Sequence, residues 1–345
     1  MKRITLTDVA KEAGVHHSTV SRALKFHPGI PEKTREKILK VVARLKYVPD
    51  PHLSALAAYK NSKRPIGFLA NLAWITNFPE EEGWKENPHF PAYYKGAKAR
   101  AAELGYGLDT IWLPGVSAIE KSPSQVLRNR SIRGLLLPPQ PAPNATLNLD
   151  WDEFSVVSFG FTLTHPSLHN VALDHFRSIQ ILLRELHRLG YRRPRLLLSL
   201  KSDQRVSFAW SAGFHVGLQQ VGLLPSDPIH LTSPDFRDFL AAVKKAKPDV
   251  ILTTRGWANL ALQQLPAAGL HVPADMGLAA VNFCASDQGQ GGIYEDGALL
   301  GRHAVEMLTA MLQRGEKGVP ANVKHLITEG AFTRGETLRL VAASA

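Results

Sequence analysis

From residue 65 to residue 345, short apolar runs typical of buried strands alternate with longer amphipathic segments typical of helices. This alternation predicts parallel sheets covered by helices on both faces, because each parallel strand pair needs a crossover connection. About 280 residues of the pattern exceed one compact core of ordinary size. We therefore expect an α/β unit of two lobes with a cleft between them.

The boundaries of these elements follow from the spacing of the apolar residues and from flanking Gly and Pro. The predicted strands are 66–70, 108–112, 134–137, 155–159, 195–199, 250–254, 276–281 and 325–328. The predicted helices are 91–104, 173–189, 208–221, 258–268 and 298–312.

The first 25 residues have the spacing of a helix-turn-helix, with Gly14 in the turn between two short helical segments. Thr5 can cap the first segment through its hydroxyl, and Asp8 can complete a short capping box. The inner faces are supplied at helical spacing by Val9, Ala10, Ala13, Val15, Val20 and Leu24. The second helix would present residues 17–19 to a DNA groove, with Arg22 one turn further along the same face.

A third helix is predicted over 32–47, after Pro31, with a basic outer surface. A break at 48–50 precedes a short segment, 51–59, that is rich in Ala and Leu and too short to be a stable helix by itself. The residues alone favour a linker here, and a helix that orders on binding is the alternative. The expected organisation is therefore a headpiece (1–47), a hinge (48–64) and a core (65–345).

The positive charge of the chain is concentrated at its start. Residues 1–60 hold 12 Lys and Arg against 5 Asp and Glu, whereas the other 285 residues hold 29 against 25. A basic segment of this kind indicates a polyanionic partner, and a solvated basic surface is the alternative that charge alone leaves open. Together with the helix-turn-helix pattern, it favours double-stranded DNA.

Several other classes of protein are disfavoured by what the sequence lacks. Cys284 is the single cysteine, which excludes an intramolecular disulfide and a zinc site of several thiolates and fits a reducing compartment. No apolar run follows the charged start, so we expect no signal peptide. No apolar run approaches the roughly 18 residues of a membrane span. We expect a cytoplasmic, nucleoid-associated protein with no membrane partner.

The spacing of the candidate motifs argues against an enzyme and against a metal site. The glycines at 289–292 lack the full dinucleotide-binding spacing and do not open a helix after a strand. His165 and His169 are four residues apart, but Pro166 disfavours a regular helix through both of them. Cys284 has no surrounding pattern that marks a nucleophile. We expect no catalytic residue, no metal and no cofactor.

Residues 5–24, TLTDVAKEAGVHHSTVSRAL, closely resemble the lactose-repressor/galactose-repressor (LacI/GalR) family of bacterial transcription regulators. The segments 34–38 and 45–49 and Leu56 extend the resemblance, and weaker motifs at 189–193, 212–214 and 272–275 fall in the expected order. The family implies a small all-α headpiece and an α/β core of two lobes of the type I periplasmic-binding-protein kind. It also implies a small-molecule effector in the cleft and a homodimer.

The resemblance assigns roles to individual headpiece residues. His17, Ser18 and Arg22 would contact base edges in the major groove. An arginine can bind guanine through two hydrogen bonds, worth roughly 1–3 kcal/mol of discrimination, and a phosphate contact is the alternative for Arg22. Leu56 matches the hinge leucine that wedges into the minor groove. Roles in positioning the DNA backbone are implied for Thr5, Ser21, Thr34 and Tyr47.

The cleft departs from the family at several positions. The usual Arg three residues before Gly213 is Trp210, and an Asn-Asp pair is replaced by Arg255 and Gly256. Aromatic rings can still stack on a sugar face, and core packing is the alternative for each of them. The candidate aromatic contacts are Phe90, Tyr93, Trp210 and Trp257. The candidate polar contacts are Arg205 and Asn282.

These observations predict a DNA-binding transcription regulator, expected to be a repressor, that binds a palindromic operator as a homodimer. A small molecule in the core cleft, of the sugar type, would control it. An activator of the same family is one alternative. A solute-binding protein of the same fold is another, but it would need an export signal and would have no use for a basic helix-turn-helix.

Overall fold

Three short helices form the amino-terminal unit of the computed structural model, which describes residues 4–24, 29–45, 47, 69–115 and 122–341. They are α1 (Leu6–Ala13), α2 (His17–Leu24) and α3 (Glu32–Leu45). Thr5 caps α1, and its side chain and that of Asp8 bond each other's backbone N–H in the predicted capping box. Gly14 ends α1 at φ +66°, a left-handed conformation that glycine adopts without a steric penalty. The predicted helix-turn-helix is confirmed.

The headpiece has its own small core. Its buried side chains come from all three helices and from the turn before α3, and they are Val9, Ala10, Ala13, Val20, Ala23, Ile30, Ile38 and Val41. On the surface, the Arg44 guanidinium of α3 lies 2.5 Å from the Glu12 carboxylate of α1. Because each helix alone is too short to be stable, the unit depends on this shared packing.

The rest of the described chain forms the alternating α/β architecture. Its helices are α4 (His89–Glu103), α5 (Pro123–Asn129), α6 (His175–Arg188), α7 (Leu200–Gln204), α8 (Ala209–Gln220), α9 (Phe236–Ala246), α10 (Arg255–Gln264) and α11 (Gly297–Arg314). Its strands are β1 (Ala70–Thr76), β2 (Tyr106–Trp112), β3 (Gly134–Leu137), β4 (Ala145–Thr146), β5 (Ser155–Phe159), β6 (Leu163–His165), β7 (His169–Leu173), β8 (Pro194–Ser199), β9 (Ile229–Leu231), β10 (Val250–Thr253), β11 (Gly277–Phe283), β12 (Gly292–Tyr294), β13 (His325–Thr328) and β14 (Ala331–Thr333).

Twelve of these strands build two separate six-stranded sheets, one in each lobe, and β4 and β6 pair in a small two-stranded sheet. The first sheet has the order β13-β7-β5-β3-β1-β2, and all of its strands are parallel. The second has the order β14-β12-β11-β10-β8-β9, in which only the edge strand β14 is antiparallel to its neighbour. The predicted α/β class with parallel sheets is confirmed.

The chain crosses between the lobes three times in the described residues. It leaves the first lobe between β7 and α6, returns between β12 and α11, and leaves again between β13 and β14. At the first crossing the Asp174 N–H donates to the Thr328 carbonyl at 2.8 Å, which ties that segment to the third crossing. Three covalent connections at one place limit the lobes to motions about that place.

Helices cover both faces of each sheet. In the first lobe, α4 and α11 pack together over one face and α5 lies over the other. In the second lobe, α6 and α8 cover one face and α9 and α10 cover the other. In the part of the chain that the structure describes, no helix is both long enough and apolar enough to cross a membrane.

The helices α4 and α11 approach each other at two glycines. A Cβ added at Gly96 would lie 2.0 Å from the Ala298 carbonyl oxygen, and one added at Gly301 would lie 2.0 Å from the Tyr93 carbonyl oxygen. Neither backbone can move aside without separating the helices. This contact therefore accepts no side chain at either position.

Gly301→Ala is expected to destabilise the protein by at least about 1–3 kcal/mol, because overpacking against backbone outweighs the better helix propensity of alanine. Thermal denaturation followed by circular dichroism measures the effect. The matched control is Gly256→Ala, where an added Cβ meets no atom within 4 Å and the helix should gain stability. Equal denaturation midpoints for wild type and Gly301→Ala would contradict the close approach.

Candidate functional site

The first candidate site is the exposed side of α2. His17, Ser18 and Arg22 are all solvent-exposed there, while Val20 and Ala23 of the same helix are buried. His16 Nδ1 lies 2.8 Å from the Ser18 hydroxyl and so fixes the start of the helix. Among the described residues, no carboxylate lies within ion-pair distance of Arg22, so its guanidinium is free to bind an outside acceptor.

The residues expected to position the DNA backbone have different surroundings. Thr5 is exposed, but its hydroxyl donates to the Asp8 carboxylate at 2.7 Å. Ser21, Thr34 and Tyr47 are half-buried at the edge of the headpiece core. Leu56, like all of the predicted hinge, lies outside the described residues. The DNA contacts of all these residues stay predictions.

The second candidate site is the cleft between the two lobes, a cavity of about 480 Å³. Half of the residues that line it come within three positions after the carboxyl end of a parallel strand, which is where ligands bind in open α/β sheets. Its size is within the range of small-molecule sites. The side chains central to it are His89, Phe90, Tyr93, Thr162, His175, Ser202, Arg205, Trp210, Thr254, Arg255, Asn282 and Glu295.

A carboxylate lies at the floor of the cleft. Glu295, between β12 and α11, is 2% exposed and accepts a hydrogen bond from the Tyr93 hydroxyl of α4. Its other oxygen lies 3.3 Å from Asn282 Nδ2 and 3.4 Å from His89 Nδ1. Burial acts to raise the pKa of Glu295, but the two neighbouring imidazoles and these hydrogen bonds outweigh it and hold the pKa below its usual range. The group is ionised at neutral pH.

Beside this carboxylate, the rings of His175 and Trp210 pack edge to face with centroids 5.1 Å apart. Burial lowers the pKa of His175 to about 4, so the imidazole is neutral at pH 7. Trp210 is 5% exposed, and its indole N–H has no hydrogen-bond partner in the part of the chain that the structure describes. An unsatisfied buried donor in a cleft wall is suited to an acceptor atom of a ligand.

Two guanidinium groups enter the cleft from the second lobe. Arg205 Nη1 donates across the cleft to the carbonyls of Gln140 and Pro141 in the first lobe, at 2.8 and 3.1 Å. Arg255, the first residue of α10, donates from Nε to the Asp287 carboxylate at 2.6 Å. The first cation therefore bridges the lobes, and the second already has a carboxylate partner.

The turn that carries Arg205 is held by a buried acid. Asp203 has no exposed surface, accepts hydrogen bonds from the Ser211 hydroxyl and lies 3.2 Å from His230 Nε2. Its backbone carbonyl accepts from the Phe208 N–H at 2.9 Å. Asp203 thus connects α7 to α8, the two helices that flank Arg205 and Trp210.

Comparison with known proteins then decides the family. Residues 5–50 match the family model of bacterial regulatory proteins of the lacI family, and residues 183–335 match that of the periplasmic binding protein-like domain. Together the two matches cover more than half of the chain. The chain belongs to the LacI family of bacterial regulatory proteins.

Its relatives include repressors and regulators of bacteria. It is 45% identical over 74 residues to the probable HTH-type transcriptional repressor ExuR of Bacillus subtilis, a match to 21% of each chain. It is 26% identical over 134 residues to the HTH-type transcriptional regulator MalR of Streptococcus pneumoniae, covering 39% of this chain and 38% of that one. The chain thus spans about a fifth to two fifths of the length of these two. The MalR of Staphylococcus xylosus matches over 324 residues, 90% of this chain and 92% of that one, at 23% identity.

Solved structures of the family share the fold. The transcriptional regulator CelR in complex with cellobiose superposes with a TM-score of 0.58 at 18% identity, over 97% of this chain and all of that one. The lac repressor dimer bound to operator and the anti-inducer ONPF superposes with a TM-score of 0.58 at 20% identity, over 98% of this chain and all of that one. At such identities the likeness establishes the architecture of both the headpiece and the core.

The structure brings five of the six predicted effector contacts together in this LacI-type cleft, namely Phe90, Tyr93, Arg205, Trp210 and Asn282. Trp257 does not line it. Its ring stacks on Phe239 at 5.2 Å and borders a second, separate cavity, because it lies on the side of α10 that packs towards α9. Whether any of the six binds an effector stays a prediction.

Sequence reasoning missed Glu295, His89, His175 and Arg255 as members of the cleft. Glu295 and His175 come directly, or within two residues, after the ends of β12 and β7. A search of the residues that follow each predicted parallel strand could have found some of them. Because β7 and β12 were not predicted, such a search would not have found His175 or Glu295, which follow these two strands.

Replacing His175 should change how stability depends on pH. The unfolded chain protonates this imidazole near pH 6.5 and the folded chain near pH 4, so stability is lost as the pH falls between these values, by at most about 3 kcal/mol. His175→Asn should reduce the change of the denaturation midpoint with pH between these two values. Exposed His215 gives the control His215→Asn, which should keep the wild-type slope, and an unchanged slope in His175→Asn would contradict the low pKa of His175.

Proposed function

We propose that this protein is a transcription regulator that places α2 in the major groove of operator DNA and responds to a small molecule in the cleft. The observation that carries the proposal is the exposed first turn of α2, with Arg22, which has no carboxylate partner among the described residues, on the same face of a headpiece that matches the lacI family. An α-helix fits the major groove, and its exposed N-terminal residues reach base edges.

The headpiece alone would contact only half of an operator. A helix-turn-helix unit reads a few base pairs, and a two-fold dimer reads two half-sites related by the same symmetry. The solved lac repressor structure is described as a dimer bound to operator, which supports the same arrangement here. We therefore propose a homodimer on a pseudo-palindromic site, with residues 1–47 as headpiece, 48–64 as hinge and 65–345 as core.

Repression is the proposed outcome of binding. The matched relatives from Bacillus subtilis include a probable repressor and a ribose operon repressor. An activator would dock on DNA in the same way, so a reporter gene placed behind the selected operator separates the two. Expression that rises when the regulator is deleted supports repression, and expression that falls supports activation.

The effector is proposed to bind between the lobes and to change their relative position. CelR was solved with cellobiose, and a family member from Enterococcus faecium was solved with ribose, which supports a sugar-type ligand here. The Arg205 contacts to Gln140 and Pro141 connect the cleft walls and would respond to an occupant. Linkage requires effector and operator to alter each other's affinity equally, typically by 1–3 kcal/mol.

Arg22→Ala should weaken the preference for one base pair in each half-site by roughly 1–3 kcal/mol, because a base-edge hydrogen bond is lost. The preferred site is first selected from random duplexes, and binding to all single-base variants is then measured by fluorescence anisotropy. Arg188→Ala, on an exposed face of α6, removes the same charge far from the headpiece and should leave the profile unchanged. A loss that is uniform across all variants would make Arg22 a phosphate contact, and selection of no duplex would refute the proposed function.

A further inference from the structure

We propose that the cleft binds a polyhydroxylated small molecule that carries a carboxylate, a sugar acid, and that Arg205 holds the carboxylate. The inference rests on the proposed role of the cleft as an effector site and specifies the chemistry of its ligand. It follows from how the charges and the hydrogen-bond donors of the cleft are distributed among the described residues.

Arg205 is a cation without a counter-ion. It is partly buried, and burial lowers the pKa of its guanidinium, with Tyr93 as the one opposing influence. Its hydrogen bonds run from Nη1 to two backbone carbonyls, while Nε and Nη2 have no partner among the described residues. No described carboxylate lies within ion-pair distance. Nε and Nη2 form the remaining edge of the guanidinium. This planar pair of donors can bind a carboxylate with two parallel hydrogen bonds.

The other cationic side chain of the cleft and its buried carboxylate already have hydrogen-bond partners, and the remaining acid of the lining, Glu86, is exposed. Arg255 pairs with Asp287, whose side chain is 3% exposed and also accepts from the Cys284 N–H. Glu295 is surrounded by the Tyr93 hydroxyl and the Asn282 amide. A ligand therefore meets one guanidinium, that of Arg205, which has no carboxylate partner among the described residues, and a cationic ligand would leave it so.

Two further features of the same wall favour an acceptor-rich ligand. The indole N–H of Trp210 is buried without a partner among the described residues, and leaving such a donor unsatisfied is destabilising. The amino end of α10 opens onto the cleft at Thr254, whose side chain makes no capping hydrogen bond. The free backbone N–H groups at a helix start attract oxygen atoms that carry negative charge.

The amount of charge favours a carboxylate over a phosphate ester. A carboxylate carries one charge, which the single unmatched guanidinium balances, whereas a phosphate monoester carries close to two at neutral pH. The remainder of the lining supplies the surroundings of a sugar. Phe90 and Trp210 offer apolar ring surface, and Ser202 and Asn282 offer polar atoms for hydroxyl groups.

The test is isothermal titration of the full-length protein with matched ligands. The acids are D-glucuronate, D-galacturonate and D-gluconate, the neutral partners are D-glucose and D-galactose, and D-glucose 6-phosphate is the phosphate arm. We expect at least one acid to bind at least tenfold more tightly than its neutral partner and than the phosphate. Arg205→Gln should abolish this preference and change the affinity for the neutral sugar less than threefold.

Two more variants distinguish a loss of ligand binding from a defect in folding. Arg205→Lys keeps the charge but not the fork, so it should retain part of the preference, and Trp210→Phe keeps the ring but removes the N–H and should weaken acid binding severalfold. Arg237→Gln is the control, because Arg237 is 89% exposed and lies outside the cleft. It should bind like wild type.

Three results would overturn the inference even if an acid binds. They are equal or tighter binding of the neutral sugars, tighter binding of the phosphate, and an equal loss for acid and neutral sugar in Arg205→Gln, which would make Arg205 a latch between the lobes only. Binding of no acid also refutes it. Operator selection is a separate measurement, so a protein that binds DNA but no acid refutes only this inference, and one that binds an acid but no DNA refutes only the proposed regulator.

Discussion

The arrangement of the two lobes depends on a buried negative charge. A carboxylate removed from water is strongly destabilising unless donors surround it, and the donors of Glu295 come from different parts of the fold. Tyr93 belongs to α4 of the first lobe, whereas Asn282 belongs to β11 of the second. Glu295 itself lies where the chain crosses between the lobes. The floor of the cleft is thus held together by one charge whose hydrogen bonds require both lobes to be in place.

The lobes contain one close-packed helix pair and one contact that consists of hydrogen bonds. At the floor, α11 begins two residues after Glu295. It packs on α4 so closely that neither Gly96 nor Gly301 could carry a side chain. Elsewhere in the cleft, the lobes meet through two hydrogen bonds from Arg205 to backbone carbonyls, which can break without any backbone atom having to pass another. Motion of the lobes about the crossings would leave the packing of α11 on α4 intact and would alter the hydrogen bonds of Arg205. A ligand bound to Arg205 would therefore act where the lobes are free to move.

Local patterns predicted a large part of this structure. The headpiece follows from a capping residue, a turn glycine and apolar spacing within 20 residues, so Thr5, Gly14 and Arg22 could be placed without knowledge of the fold. The strand at 134–137 and the helix at 298–312 were found because their burial shows as apolar runs. The helix predicted at 258–268 instead spans Arg255–Gln264 with Thr254 as its N-cap residue, and Gly256 in its first turn gave no apolar signal for that start. Of the cleft lining, sequence reasoning identified Phe90, Tyr93, Trp210, Arg205 and Asn282, but it missed Glu295 and wrongly included Trp257.

By itself, the sequence determined the helix-turn-helix, the α/β class and the basic start of the chain, because each rests on interactions between residues close in the sequence or on composition. Only the tertiary structure decided which polar groups share the cleft. His89, Asn282 and Glu295 lie up to about 200 positions apart, and their meeting depends on the order of the strands and on three crossings between lobes. It also decided that Trp257 packs on Phe239 and that Arg205 lacks a counter-ion, since burial and charge pairing exist only once distant segments are in contact.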